Sequence, residues 1–304
     1  MANESPLMTS PPFGEDGAAS GLLERLLPDG VHDMLEEIDG RLARIPTRLN
    51  RYGFDPFGFE PRNMRNQMLT MGALYRYWLR VETRGIERVP EGRVLLIANH
   101  AGNTMAFDGA MLAAAMFFEG EPPRIVRGMG EYFLPTIPFF NVAMQRMGSV
   151  VGRPQNCVNL LEQEEAIMVF PEGERGFVKT YSQRYQLQRF GLGFLRLALE
   201  TGTPIVPIGI VGAEEQSPGI ANLKSVGRLF GSPAFPITLT FPFLGVAGFL
   251  PLPVKFHIHF GNPLSFEGDP NEDDAAIQER VDVVKDEIKR LIADGLATRK
   301  SWFT

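Results

Sequence analysis

Short apolar runs alternate with amphipathic stretches along most of this chain. The clearest runs are Val94–Ala98, Ala166–Phe170 and Pro204–Val211, which are short and apolar on both faces. Apolar residues at helical spacing occupy the intervals, as in Asn156–Glu165 and Arg189–Thr201. Buried strands that alternate with helices predict an α/β fold, with a mixed, mostly parallel sheet flanked by helices.

Three regions are predicted along the sequence. Residues 1–20 are rich in proline, glycine, serine and acidic residues, which predicts a disordered acidic tail. Residues 21–88 place apolar residues at helical spacing, so we expect an N-terminal helical region that includes one amphipathic helix from Asn63 to Arg84. The apolar face of this helix either packs on the core or docks the region on a membrane surface. Residues 89–304 hold the alternating strands and helices and end in an amphipathic helix from Asp273 to Leu296.

Charge is distributed unevenly over the N-terminal region. The net charge of −6 argues against a nucleic-acid partner. Residues 1–40 hold nine acids and one base, whereas residues 41–88 hold ten arginines and four acids. These arginines form a solvated helical face, or they contact either the head groups of a membrane surface or the preceding acidic segment. They are Arg41, Arg44, Arg48, Arg51, Arg62, Arg65, Arg76, Arg80, Arg84 and Arg88.

A long apolar segment, residues 233–256, contains five prolines. Its length would suit a membrane span, but interior prolines interrupt helices. We therefore predict an aromatic loop or hairpin that covers an acyl pocket, contacts the membrane interface or packs on the core. His257 and His259 share one face of the strand that is predicted to follow. No further metal-binding side chains accompany them, so we expect no metal site. The single cysteine, Cys157, indicates a reducing compartment.

The residues with the clearest chemical potential follow the first apolar run. Asn99 and His100 come directly after Val94–Ala98, and ligands of open α/β sheets bind at the carboxyl ends of the strands. Asp108 follows His100 after seven intervening residues. A histidine that is oriented by a carboxylate can act as a general base. The arrangement is that of a serine hydrolase triad in which a hydroxyl of the substrate replaces the serine. The sequence contains no G-x-S-x-G, G-x-x-x-x-G-K-[ST] or G-x-G-x-x-G motif.

Four short blocks occur in a fixed order along the chain. They are N-H-x7-D at Asn99–Asp108, G-x4-R at Gly148–Arg153, F-P-E-G-x-R at Phe170–Arg175 and V-P-I-G at Val206–Gly209. Together they resemble the four motifs of the glycerophospholipid acyltransferase family, which includes the 1-acylglycerol-3-phosphate acyltransferases. The resemblance covers about residues 85–265, and F-P-E-G-x-R is the most specific block.

The resemblance implies roles for the residues that match its motifs. His100 would deprotonate the acceptor hydroxyl while Asp108 holds its other ring nitrogen. Arginines in the acceptor site would grip phosphate through charge-assisted hydrogen bonds. The implied acceptor-site residues are Arg153, Glu172, Gly173 and Arg175.

The implied reaction moves a fatty acyl group from acyl-CoA or acyl carrier protein to a hydroxyl of a glycerolipid. The acceptor would be lysophosphatidate, a lysophospholipid or a related alcohol, and no cofactor is implied. The family is typically associated with membranes. We therefore expect a peripheral protein on the cytoplasmic face of a membrane.

Two departures from the family pattern change the expectation. The usual spacing is H-x4-D, and Met105 stands where that aspartate would be, so the loop must bulge at Gly102 and Asn103 to return Asp108 to His100.

The second departure is that Glu174 and Gly176 stand beside the motif arginine, where the family commonly has threonine and serine. An additional acid beside a phosphate site favours a zwitterionic lysophospholipid or a neutral alcohol as the acceptor.

Each candidate residue also has an ordinary structural explanation. Asp108 would be the N-cap of the following helix, and Glu172 would be a turn residue after its strand. Arg153 and Arg175 would form surface ion pairs, which are common and weak. For the whole protein, the alternatives are a lipid esterase in which His100 activates water and a non-catalytic lipid-binding protein on the same fold.

Overall fold

A seven-stranded sheet forms the centre of the part of the chain described by the computed structural model, which comprises residues 29–47, 49–101, 105–130, 140–229 and 235–303. The spatial order of its strands is β1-β9-β6-β2-β5-β3-β4, and β7 and β8 form a separate two-stranded sheet. The strands are β1 (Glu82–Arg84), β2 (Val94–Ala98), β3 (Val126–Gly130), β4 (Val150–Val151), β5 (Ala166–Val169), β6 (Ile205–Val211), β7 (Gly219–Asn222), β8 (Pro236–Thr238) and β9 (His257–Phe260).

The main sheet is mixed and mostly parallel, as predicted. Strands β6, β2, β5, β3 and β4 are parallel to one another. Strand β9 pairs antiparallel with β6, and β1 pairs parallel with β9. The carboxyl ends of the five parallel strands therefore lie at one edge of the sheet, which we call the carboxyl edge. The first residue of β9, His257, pairs with Val211 at that same edge.

Helices cover both faces of the sheet. Alternate residues of β2 explain why its sequence is apolar throughout: Leu96 packs towards α1, α2 and α3, whereas Leu95 packs towards α5, α7 and α9. The helices are α1 (Asp29–Ala43), α2 (Pro61–Ala73), α3 (Phe107–Phe118), α4 (Phe140–Arg146), α5 (Pro154–Glu162), α6 (Glu174–Phe177), α7 (Gly193–Thr201), α8 (Lys224–Leu229) and α9 (Asp274–Thr298).

The prediction of a single helix from Asn63 to Arg84 is wrong for the C-terminal part of this range. Helix α2 passes into a π-helical turn at Leu74–Trp78, and Glu82–Arg84 is strand β1. The helix ends because Arg80 adopts a left-handed conformation with φ of 45°. Its guanidinium donates to the carbonyl oxygens of Trp78 and Pro253, 2.7 Å away in each case, which ties this turn to the segment before β9.

The apolar face of this helical region packs inside the protein. Met64, Met68, Tyr75 and Leu79 are buried in the core that contains β2 and α3. These side chains are therefore covered by the protein itself.

Several of the clustered arginines bind acidic side chains of the N-terminal region. Arg65 forms two hydrogen bonds with Asp39, at 2.7 and 2.9 Å, and Arg76 donates to Glu37 at 2.7 Å. Arg41 also forms an ion pair with Glu37, which lies one turn before it in α1. For these three arginines, the preceding acidic segment supplies the partner. The predicted tail at residues 1–20 lies outside the described residues.

The proline-rich apolar segment contains a strand and a short 3-10 helix. Strand β8 pairs antiparallel with β7, and a 3-10 turn follows at Gly245–Phe249. The partner strand β7 lies before residues 233–256 and is separated from β8 by α8, so the hairpin predicted within that segment is wrong, and the described part of the segment is mostly loop. In the described part of the chain, no helix has the length and apolar character needed to cross a bilayer.

Candidate active site

His100 and Asp108 form a hydrogen-bonded pair at the carboxyl edge. Nδ1 of His100 lies 2.7 Å from Oδ2 of Asp108. His100 follows β2, and Asp108 lies in the first turn of α3, so the loop between these elements brings the two side chains together. The bulge predicted at Gly102 and Asn103 lies outside the described residues. Because Asp108 engages Nδ1, Nε2 is the ring nitrogen left for a substrate.

Asp108 is not the N-cap of α3, because that position is occupied by Ala106. Its carboxylate is fully buried and accepts two backbone N–H groups in addition to the bond with His100. Oδ2 accepts from Ala101 and Oδ1 from Gly109, both at 2.8 Å. The carboxylate therefore fixes the loop after β2 as well as the imidazole ring.

The environment makes His100 a stronger base than a free imidazole. Burial opposes protonation of His100, but the charge of Asp108 and their hydrogen bond outweigh it and raise the pKa of His100 above 6.5. Burial alone would also raise the pKa of Asp108. His100 and the two backbone N–H groups reverse that effect and hold the pKa of Asp108 below 3.8. Asp108 is therefore ionised at neutral pH.

Glu172 is buried, and its carboxylate holds the backbone of His100. Oε1 accepts the N–H of His100 at 2.9 Å, and Oε2 accepts the N–H of Gln188 at 2.7 Å. Both oxygens are therefore used within the protein. The resemblance placed Glu172 among residues that contact the acceptor, whereas this geometry makes it a positioning residue for His100.

Lys179 and Glu214 complete the buried part of the site, and the sequence analysis identified neither. Lys179 Nζ lies 2.9 Å from Glu214 Oε1 and 3.6 Å from Glu172 Oε2. All three side chains are buried. Burial raises the pKa of Glu214, although the charge of Lys179 opposes this effect. No local pattern marks these residues, because they meet only when the segments after β5 and β6 pack together.

Asn99 fastens the end of β2 to β6. Its amide nitrogen donates to the carbonyl of Ile210 at 3.0 Å, and its amide oxygen accepts the N–H of Ile210 at 2.8 Å. This paired contact replaces two ladder hydrogen bonds at the point where β2 ends. The asparagine before the histidine thus fixes the position at which the loop that contains His100 leaves β2.

Aromatic rings and one glycine enclose the His100 side chain. The ring of Phe170 stacks on the imidazole with centroids 4.5 Å apart, and Phe177 lies 5.8 Å away. Gly176 approaches so closely that a Cβ atom there would lie 2.8 Å from Cβ of Glu172 and 2.9 Å from Cβ of His100. A serine at this position would meet the same atoms, which gives a physical reason for the glycine.

Arg153 and Arg175 are exposed and lie at the carboxyl edge. Arg175 follows β5, the neighbour of β2, and donates to the carbonyl of Arg189 at 3.2 Å. Arg153 follows β4, three strands from β2, and precedes α5. Gly173 has φ of 54° and ψ of −140°, a conformation open to glycine, and forms the turn that directs Arg175 outward.

Cys157 does not provide a nucleophile, and His257 and His259 do not form part of a metal site in the described residues. Burial raises the pKa of the Cys157 thiol to about 11, so the thiol is not a nucleophile at neutral pH. Within the described ranges, no group of three or more histidine, cysteine or acidic side chains is placed to hold a metal ion.

Comparison with known proteins gives a family model and related chains. Residues 80–211 match the model described as Acyltransferase. An uncharacterised protein of Mycobacterium tuberculosis is 37% identical over 282 residues, which are 91% of this chain and 78% of that protein. An uncharacterised protein of Mycobacterium leprae is 38% identical over 259 residues, which are 83% of this chain and 70% of that protein.

Two more distant proteins have named activities. The mouse DGAT1/2-independent enzyme synthesizing storage lipids is 24% identical over 193 residues, which are 62% of this chain and 54% of that enzyme. The crystal structure of the 1-acyl-sn-glycerophosphate acyltransferase PlsC from Thermotoga maritima is also similar. The matched region comprises 93% of this chain and 90% of the PlsC chain. Its TM-score is 0.50 at 19% identity, which shows a shared fold.

Replacing Gly176 with alanine should disturb the site because the new methyl group would meet Cβ of both Glu172 and His100. We expect Gly176→Ala to lower the free energy of unfolding by about 1–3 kcal/mol, as overpacking does. It should also alter the downfield NMR signal of the His100 Nδ1 proton. Urea denaturation and proton NMR would measure these effects.

Gly193→Ala is the matched control, because a Cβ at Gly193 meets nothing within 4 Å. This control should keep the NMR signal and wild-type stability or better. Equal stability and identical spectra for the two variants would contradict the proposed close contact.

Proposed function

The chain belongs to the family described as Acyltransferase, and from this premise we propose that it is a glycerophospholipid acyltransferase, which transfers a fatty acyl group from a thioester donor to a hydroxyl of a glycerolipid. The observation that supports this most directly is the 2.7 Å bond between His100 Nδ1 and Asp108 Oδ2, which leaves Nε2 for a proton. The donor is acyl-CoA or acyl carrier protein, and the acceptor is lysophosphatidate, a lysophospholipid or a related alcohol.

In the proposed reaction the acceptor hydroxyl attacks the thioester carbonyl carbon while Nε2 of His100 takes its proton. Asp108 stabilises the resulting imidazolium through its own negative charge. The C–S bond then breaks, and the proton passes from His100 to the leaving thiolate. The products are an ester and a free thiol, so protons and electrons balance without a cofactor.

The acceptor lies, in this proposal, on the side of His100 where β5, β3 and β4 end. Arg175 and Arg153 are exposed there, and exposed guanidinium groups are suited to a phosphate. Glu174 is exposed beside Arg175 and would weaken the binding of a dianionic phosphomonoester. This favours an acceptor with lower negative charge.

We also propose that the protein contacts a membrane through the apolar segment that contains β8. Residues 235–254 include no charged side chain. Phe243 and Val246 are 70% and 85% exposed, and Leu239, Leu244 and Leu250 are exposed nearby. Trp78 donates to the carbonyl of Pro251 and remains 45% exposed, which suits the lipid–water interface.

Such a contact would direct the site towards its lipid acceptor. The chain leaves the carboxyl edge after Val211 and returns to it at His257, so the apolar segment belongs to the connection on the side of the sheet where His100 is found. The helical face with Met64 and Met68 is buried in the core and cannot contribute. The reducing setting indicated by the buried, unpaired Cys157 suits a peripheral protein on the cytoplasmic face.

The proposed activity is tested by incubating the purified protein with acyl-CoA and, separately, a lysophospholipid, lysophosphatidate, glycerol 3-phosphate or a diacylglycerol. We expect an acylated lipid product, and His100→Ala should reduce its formation by roughly 10²–10⁴-fold, because the general base is lost. Mass spectrometry of the lipids would measure the product.

His32→Ala, a histidine change in α1, is the matched control and should keep full activity. Free fatty acid as the sole product would indicate an esterase instead. Acceptor binding with no turnover would indicate a lipid-binding protein.

The pH dependence of kcat/KM should follow His100, because the base must be unprotonated to act. Since the pKa of His100 is raised above 6.5, activity should fall as the pH drops through this higher value. Asp108→Asn removes the charge that raises the pKa. The residual activity of this variant should therefore be lost at a lower pH than that of the wild type. Profiles that coincide would remove Asp108 from the proposed role.

Phe243→Glu combined with Val246→Glu should weaken membrane binding, because two exposed apolar side chains would become charged. We expect at least about tenfold less binding to phosphatidylglycerol vesicles in flotation assays. Val283→Glu changes an exposed apolar side chain on α9 and is the matched control. If the double variant and the control float equally well, the membrane contact lies elsewhere.

A further inference from the structure

A groove of about 490 Å³ lies beside β1 and β9, on the opposite side of β6 from His100, and Thr298 and Phe303 are among its lining residues. Four of its lining side chains carry, or can carry, a positive charge, and one is acidic. The first four are Arg80, Lys255, His257 and Lys300, and the acid is Glu82. None of these residues has a part in the proposed acyl transfer at His100.

His257 is buried, but its ring nitrogens have no hydrogen-bond partner among the described residues. The nearby carboxylate oxygen of Glu82 is 3.9 Å from Nδ1, which is too far for a hydrogen bond. Burial, assisted by the charge of Lys255, lowers the pKa of His257 to about 4, although Glu82 opposes the effect. A buried imidazole N–H without an acceptor is costly. Because His257 is one of the side chains that line the groove, a ligand bound there could supply the acceptor.

The balance of charge in the groove favours an anion. Glu82 already accepts Arg84 at 2.9 Å and lies 3.2 Å from Lys255 Nζ, so its charge is offset within the protein. Lys300 adds a further cation just beyond the C-terminal end of α9, where it offsets the negative end of the helix dipole. Arg80 is held in position by its bonds to backbone carbonyls, which leave its charge intact.

The groove shares the carboxyl edge with His100 but lies away from the exposed arginines. His257 pairs with Val211 of β6, and β6 also neighbours β2. Two strand spacings, about 10 Å, therefore separate β9 from β2 across the sheet. Arg175 and Arg153 follow strands on the other side of β2. The edge thus has two cationic regions with His100 between them.

We infer that this groove is a phosphate-binding site, and that it takes the phosphate at the far end of the pantetheine arm of the acyl donor. The second part rests on the proposed acyl transfer. In acyl-CoA and in acyl carrier protein alike, a long arm separates the reacting thioester from the nearest phosphate. In a phosphorylated acceptor, by contrast, the phosphate is attached close to the reacting hydroxyl. A groove at a distance from His100 therefore suits the donor.

The groove can be tested by NMR of the histidine side chains, because the chain contains four histidines. His257→Asn would identify the signal of His257. Inorganic phosphate, CoA and a short-chain phosphatidate would each be titrated into the full-length protein. We expect CoA and inorganic phosphate to shift the His257 signal and to raise its pKa from about 4.

Lys255→Gln combined with Lys300→Gln should weaken the binding of CoA, seen as the shift of His257, by at least about tenfold. Lys289→Gln, which alters an exposed lysine on α9 paired with Asp286, is the matched control and should bind as the wild type does. A single Lys300→Gln variant covers the case in which the double variant fails to fold.

The outcomes separate this inference from the proposed function. A His257 signal that moves with none of the three probes would overturn the phosphate site. A signal that moves with phosphatidate and not with CoA would overturn the assignment to the donor. Because binding is read without turnover, CoA binding by a protein that transfers no acyl group would contradict the proposed function and leave the phosphate site standing.

Discussion

The buried carboxylate of Glu172 is the constraint on which the site depends. It accepts the backbone N–H of His100 after β2 and that of Gln188 in the segment before α7, and so joins two chain segments through one group. Asp108 applies a second constraint by bonding to the ring of His100 and to the next backbone N–H. With its backbone and its ring both held, the imidazole has little freedom left. In the proposed role of general base, a side chain fixed in this way loses little conformational entropy when the substrate binds.

This arrangement requires charges in the interior, and the protein must offset them. Glu172 and Glu214 are both buried, and Lys179 lies between them as the neutralising cation. A buried charge without a partner is strongly destabilising, whereas a bonded and neutralised group is tolerated. Lys179 therefore supports the orientation of His100 indirectly, by offsetting the buried charge of Glu172.

Much of this could be predicted from local sequence, because the relevant patterns are local. Five apolar residues followed by Asn99 and His100 predicted both β2 and a functional residue at its carboxyl end. Asp108 was found in spite of an unusual spacing, since residues 101–107 include no other carboxylate. The end of the second helix was missed because a left-handed Arg80, held by carbonyls of a distant segment, is a tertiary effect. Contacts over long sequence separations also hid Lys179 and the reason for Gly176.

In the proposed reaction, the topology of the sheet lets one edge serve both substrates. Parallel strands β2, β5 and β4 all end at the carboxyl edge, so His100, Arg175 and Arg153 follow one another in that order along it. The reversal of direction at β9 adds His257 and Lys255 to the same edge from a strand that runs the opposite way. Without that antiparallel pair, the start of β9 would lie at the far edge of the sheet. The mixed character of the sheet is thus what allows positive charge on both sides of a single histidine.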